Sequence, residues 1–168
     1  MIGVAMAFML GVCGHGSGRD PHVRLSDGYS RALLERGCGR SATFRELVGQ
    51  IEASDLIVYV RSSSAERPGP IGRTVFLTAA AGRRYVVISL SRCLSTGQLV
   101  ALLGHELQHA LEIGAAPEVV DEATLRRLYE RIGTGGRRLD GTWQFDTNAA
   151  VVTGRRVLKE ISRRGVTQ

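Results

Sequence analysis

The chain has 168 residues, enough for one domain with a continuous core and too few for two. Hydrophobic residues make up 43% and charged residues 23%, an ordinary globular balance, and no apolar run is long enough for a membrane-spanning helix. The net charge of +6 is almost all arginine, with Lys159 the only lysine; the arginine pairs at 83–84, 126–127, 137–138, 155–156 and 163–164 are scattered, so a specific nucleic-acid role is not expected.

Met1 to Ser17 carry no charged side chain and are mostly apolar as far as Val12. This run has the texture of a secretory leader, although no basic residue precedes it. The expectation is a leader or disordered N-terminus over residues 1–20, an exported protein, and a single domain over residues 21–168. Loss of Cys13 with such a leader would leave Cys38 and Cys93 as an even pair that an oxidising compartment could join. Two unrelated small core residues are the alternative.

Gly28 to Arg36 and Ser41 to Ala53 are predicted helices. In the second, Ser41, Thr43 and Glu46 offer capping, and Phe44, Leu47, Val48 and Ile51 recur at helical spacing. Asp55 to Arg61 is β-branched and aromatic, as a strand should be. Ser62 to Gly72 is a loop rich in Ser, Pro and Gly, and Arg73 to Ala79 and Arg84 to Leu90 are two more strands joined by a turn around Gly82. Thr96 can cap a helix that runs to about Ile113 and ends at Gly114. Asp121 to Ile132 is a further helix, Gly133 to Trp143 is a glycine-rich loop, and a last helix runs from about Asp146 to Arg163. The order predicts an α+β domain with a small, mainly antiparallel three-stranded sheet packed with helices.

Within the predicted helix at 96–113 stands His105-Glu106-Leu107-Gln108-His109, an H-E-x-x-H sequence. Histidines four apart on a helix lie one above the other, so both imidazoles can face one metal ion. The glutamate between them can act as general base toward a water that the metal activates. The opposite face carries Leu99, Leu103, Leu107, Ala110 and Leu111 and can be buried.

The segment LLGHELQHALE resembles the active-site helix of the zincin metallopeptidases, and the chain is also similar to small, largely uncharacterised bacterial proteins with this motif. The match is close over Leu99 to Ile113 and topological elsewhere. The resemblance implies a zincin-like fold with the motif on a central helix, His105 and His109 as zinc ligands, and Glu106 as general base.

A catalytic zinc normally has three protein ligands and one open position. No histidine follows His109, and His15 and His22 lie far upstream, so the third-histidine pattern of the metzincins is absent. A downstream carboxylate is then expected, as in the gluzincins. Asp146 is the leading candidate: it opens the last predicted helix, whose face continues with the small residues Ala149, Ala150, Thr153 and Gly154. The departure from that group is an aspartate where it uses glutamate. Glu122 and Glu118 compete, while Glu112, one turn past His109, is better placed for a hydrogen bond behind the metal. Arg92-Cys93-Leu94-Ser95 resembles the cysteine-ligand segment of peptide deformylases, but Cys93 lies closer to His105 than in that family. Tyr129, Arg126 and Arg127 are close in sequence to the site and are assigned no role. The expected function is a zinc-dependent hydrolase, a metallopeptidase acting on a peptide or protein substrate; a zincin-like binding module without catalysis is the alternative.

Overall fold

The computed structural model describes residues 20–64, 70–138, 141 and 143–163. Its elements follow the order β1 (Val23–Leu25), α1 (Gly28–Arg40), α2 (Ala42–Glu52), β2 (Leu56–Ser63), β3 (Gly72–Ala80), β4 (Arg83–Ser91), α3 (Thr96–Gly114), α4 (Glu122–Ile132), β5 (Thr134–Arg137), β6 (Trp143–Asp146) and α5 (Asn148–Arg163). The expected leader lies outside the described residues, apart from Asp20. Among the described residues no helix is long and apolar enough to cross a membrane.

The α+β class holds, but the sheet differs from the expected one. Leu56, Ile57, Val58 and Val60 are all buried, so successive residues of β2 are covered on both faces. A strand of that kind belongs inside a sheet with neighbours on both sides. Here β1 and β4 both run parallel to β2, and β3 lies outside β4 and antiparallel to it, giving the order β1-β2-β4-β3. The sheet is therefore mixed and four-stranded. The antiparallel expectation rests on the short links between the strands, and the turn around Gly82 does join β3 to β4 in that way. Strand β3 takes the outer edge and β4 the place between it and β2, which makes β2 and β4 parallel. Parallel pairing of β1 with β2 needs a crossover, and α1 and α2 supply it. A second sheet, the antiparallel pair β5–β6, occupies the segment expected to be a glycine-rich loop.

Helix α3 lies at the centre, against β3 and β4 on one side and α1, α2 and α5 on others. Leu99, Leu103, Leu107 and Ile113 are fully buried on it, each contributing about 2 kcal/mol of apolar burial. Its cap is Ser95 in a reciprocal capping box with Gln98, one residue before the expected Thr96. Its other end is closed by Arg84 from β4. The guanidinium donates to the carbonyls of Ile113, Gly114 and Ala116 at 2.7 Å each and forms a two-point pair with Asp55 at 2.7 and 2.8 Å. The last carbonyls of a helix have no partner within it, and a cation there also complements the helix dipole.

A second long-range tie joins α5 to the start of α2. Glu160 accepts from Ser41 Oγ at 2.6 Å, Thr43 Oγ1 at 2.7 Å and the Thr43 amide at 3.1 Å, and Ser41 caps α2 through the Phe44 amide. Burial pushes the Glu160 carboxyl up, but these hydrogen bonds and the one from Arg156 outweigh it and bring the pKa from 4.5 to about 2. Cys93 is free and exposed, so the expected Cys38–Cys93 disulfide is not made; the disulfide of Cys38, a buried residue of α1, does not involve Cys93.

Both ties can be tested by substitution. Replacing Arg84 by Met keeps the apolar stem but takes the charged donor from Asp55 and from three carbonyls, of which Ile113 and Ala116 keep backbone donors in the Ala116 and Val119 amides. Urea unfolding should show a loss of about 3 kcal/mol, and an unchanged midpoint would mean that water replaces the cap without cost. Because folding lowers the Glu160 pKa, its contribution is complete above pH 4.5 and is lost as the pH falls toward about 2. Unfolding midpoints of Glu160→Gln should therefore fall less steeply across that interval than those of the wild type, with the remaining slope carried by groups such as Asp27, which is also held at about 2.

Candidate metal centre

One helical turn separates His105 from His109, and their ring centroids stand 4.8 Å apart at 81°. Asp146 comes to them from the C-terminal end of β6. Its Oδ1 lies 3.4 Å from His105 Nε2 and 3.5 Å from His109 Nε2. The three donor atoms all fall within 4.8 Å of one another, and among the described residues no other three His, Cys, Asp or Glu side chains do so. Donors about 2.1 Å from a tetrahedral ion lie roughly 3.4 Å apart, so this group could bind a metal ion.

The surroundings prepare His109 for that role. Its Nδ1 is 2.8 Å from Glu112 Oε2, which leaves Nε2, on the Asp146 side, as the free lone pair. The other Glu112 oxygen accepts from Thr147 Oγ1 at 2.6 Å. Thr147 Oγ1 in turn accepts from the Ala150 amide and so caps α5, while the Thr147 amide donates to Asp146 Oδ1 at 2.7 Å. One buried carboxylate thus ties a histidine of α3 to the residue that follows Asp146. Tyr129 covers the remaining side, with its ring edge-on to His109 at 5.5 Å and its hydroxyl donating to the His109 carbonyl at 3.3 Å. Phe145 stacks on Tyr129, and Trp143 stacks on Phe145.

Close approach of α5 depends on Gly154, where a Cβ would stand 3.2 Å from His105 Cβ and 3.3 Å from the Ala101 carbonyl. On the other side of α3, Glu106 is 4% exposed and turns toward β3, where Thr74 Oγ1 donates to its Oε2 at 2.7 Å. Gly72 makes that position possible, because a Cβ there would lie 2.5 Å from Glu106 Oε1.

These environments set the charges. Burial and the neighbouring His109 hold His105 below the ordinary imidazole value. For His109 burial also acts downward, but the hydrogen bond and charge of Glu112, with Glu106 and Asp146, win and raise it. Burial pushes the Glu106 carboxyl up against the opposing hydrogen bond from Thr74. Burial, with the charges of Glu112 and Glu106, also raises the Tyr129 phenol.

His105, His109 and Asp146 therefore meet, although Asp146 ends a strand instead of opening the last helix, whose first residue is Asn148. Glu112 stands behind His109 as expected. Glu118 is exposed and pairs with Arg131 at 2.9 Å, and Glu122 is exposed in the first turn of α4; neither joins the group. Cys93 stays outside it as well. Two threonines of the site, Thr74 and Thr147, are not singled out by the sequence reading. Thr147 does carry a signal, since a threonine at the start of a predicted helix is a cap candidate; Thr74 carries none. Comparison with protein-family models, with curated proteins and with solved structures gives no match.

The geometry predicts one divalent ion per chain, read from the visible absorption of bound Co(II). His109→Ala and Asp146→Ala should lose it, Glu112→Gln should weaken it about ten- to hundredfold, and Glu122→Ala should leave it unchanged. Full affinity in Asp146→Ala would remove that residue from the ligand set.

Proposed function

We propose that the protein is a zinc-dependent hydrolase that cleaves peptide bonds, with His105, His109 and Asp146 holding the ion and Glu106 as general base. The observation that carries this reading is the convergence of two imidazoles and one carboxylate beside a buried, hydrogen-bonded glutamate on the same helix. Imidazole donors favour zinc over the hard cations, which take oxygen ligands. Three protein donors leave a coordination position open, the arrangement of catalytic and not structural sites. When bound, zinc would supply Lewis-acid polarisation of a carbonyl and a water acidic enough to ionise near neutral pH.

The chain's own groups supply the rest. Thr74 holds one oxygen of Glu106 and fixes its carboxylate, which leaves the other oxygen to accept a proton from the attacking water and return it to the departing amine. The Glu112 carboxylate keeps the His109 ring oriented through the exchange. Strand β3 carries Thr74 and pairs with β4 on one side only, so its outer edge presents unpaired backbone groups beside Glu106. An extended peptide can pair with such an edge, and this supports a peptide over a small-molecule substrate. The likeness of LLGHELQHALE to the zincin active-site helix points the same way.

Glu106→Gln should retain the zinc and the fold while cleavage of a mixed peptide library, followed by mass spectrometry, falls by about 10²- to 10⁴-fold. Wild-type cleavage should stop on addition of a chelator. Equal cleavage by both proteins would defeat the assignment of Glu106. A zinc-loaded wild type that cleaves nothing in the library would favour a zinc-binding module without catalysis.

A further inference from the structure

Beside Asp146 the β5–β6 hairpin lines an open, shallow groove of about 440 Å³, with Gly135, Gly136, Arg137, Arg138 and Gln144 among its walls. The candidate metal ligand is thus also a wall of this space. The hairpin is bare on the glycine side. Gly135 has φ +134 and a Cβ there would lie 2.2 Å from the Gln144 carbonyl, so no other residue fits. At Gly136 the place of a Cβ is open space.

Among the described residues the two arginines have only neutral partners. Arg137 Nε donates to the Gly141 carbonyl at 3.3 Å, and Arg138 Nη1 contacts the Gln144 amide oxygen. Among the described residues neither guanidinium has a carboxylate within ion-pair distance, in contrast to Arg84, Arg92, Arg126, Arg131 and Arg156. Among the described residues the one acid lining the groove is Asp146, and its Oδ1 already faces the two histidines. Each guanidinium carries five N–H donors in a planar fork, so most of them remain available. A groove with two arginine residues in its walls, a bare backbone and an aspartate turned toward the histidines is electrostatically complementary to a carboxylate.

We infer that this groove is a substrate subsite for a carboxylate group, gripped by Arg137 and Arg138 next to the metal centre. The inference rests on the peptidase reading for the nature of the ligand, a peptide. The carboxylate then has two sources, an acidic side chain or the C-terminus of the chain. Both arginines are exposed, so water and salt screen the contact and the expected preference is modest, about five- to tenfold.

The test is a binding measurement that needs no turnover. Zinc-loaded Glu106→Gln protein is titrated by calorimetry at low salt with three alanine-based octapeptides. One has a single internal Glu and an amidated C-terminus, the second has Gln and a free C-terminus, and the third has Gln and an amide. One or both of the first two should bind about five- to tenfold more tightly than the third, and whichever does so identifies the source. In the same background Arg137→Ala with Arg138→Ala should abolish the difference without changing metal content or the circular dichroism spectrum. Indistinguishable binding of the three peptides, including no binding of any, overturns the inference, as does a preference that survives the double substitution. Cleavage by the wild type is scored separately, so a carboxylate preference without turnover would sink the peptidase reading and keep the subsite, whereas turnover without preference would do the reverse.

Discussion

The last turn of α3 ends against the sheet with carbonyls that no residue of the helix can satisfy, and Arg84 donates to three carbonyls there at once. A buried guanidinium would be costly on its own, but here it meets three carbonyls and Asp55 at 2.7–2.8 Å. The consequence is positional. Arg84 belongs to β4, β4 is hydrogen-bonded to β3, and β3 carries Thr74. Fixing the end of α3 to β4 therefore fixes the height of Glu106 against Thr74, and with it the direction in which His105 and His109 project.

The other half of the centre comes from the opposite end of the chain and is held by carboxylates. Glu160 anchors α5 to the first turn of α2, and Glu112 anchors the residue before α5 to His109. Between these two ties Gly104 and Gly154 let α5 lie close on α3, Gly104 against Val157 and Gly154 against His105. Asp146 reaches the histidines because the segment that follows it is fastened at both ends. An aspartate reaches both imidazoles because the strand carrying it comes so near.

The parts of this arrangement that depend on neighbours along the chain are legible in the sequence. The H-E-x-x-H spacing, the apolar face of α3 and the small residues of α5 are local patterns, and helical periodicity turns them into geometry directly. Asp146 is legible as an acid at a workable separation ahead of a small-residue face, and Glu112 as a residue one turn past His109. Strand order is not legible, because the pairing of β2 with β4 joins residues 28 apart and nothing local marks it as parallel. Strand β1 spans three residues, too few for alternation to register. The β5–β6 pair hides behind glycines at positions 135 and 136, which read as a loop yet are used here where the backbone needs positive φ. The expected Cys38–Cys93 pairing rests on an even count alone, and a count has no geometry.

The aromatic stack beside the candidate metal centre has a practical meaning. Trp143 is the only tryptophan in the chain, and it lies three residues before Asp146 on the same strand. Its ring rests on Phe145 at 5.7 Å, Phe145 rests on Tyr129, Tyr129 meets His109 edge-on, and the Arg126 guanidinium sits 5.3 Å above the indole. Any displacement of the strand that repositions Asp146 also shifts the indole relative to a cation and a π-face, two neighbours to which its fluorescence is sensitive. The protein thus carries a native optical reporter on the strand that supplies the candidate ligand, with no second indole to mask it.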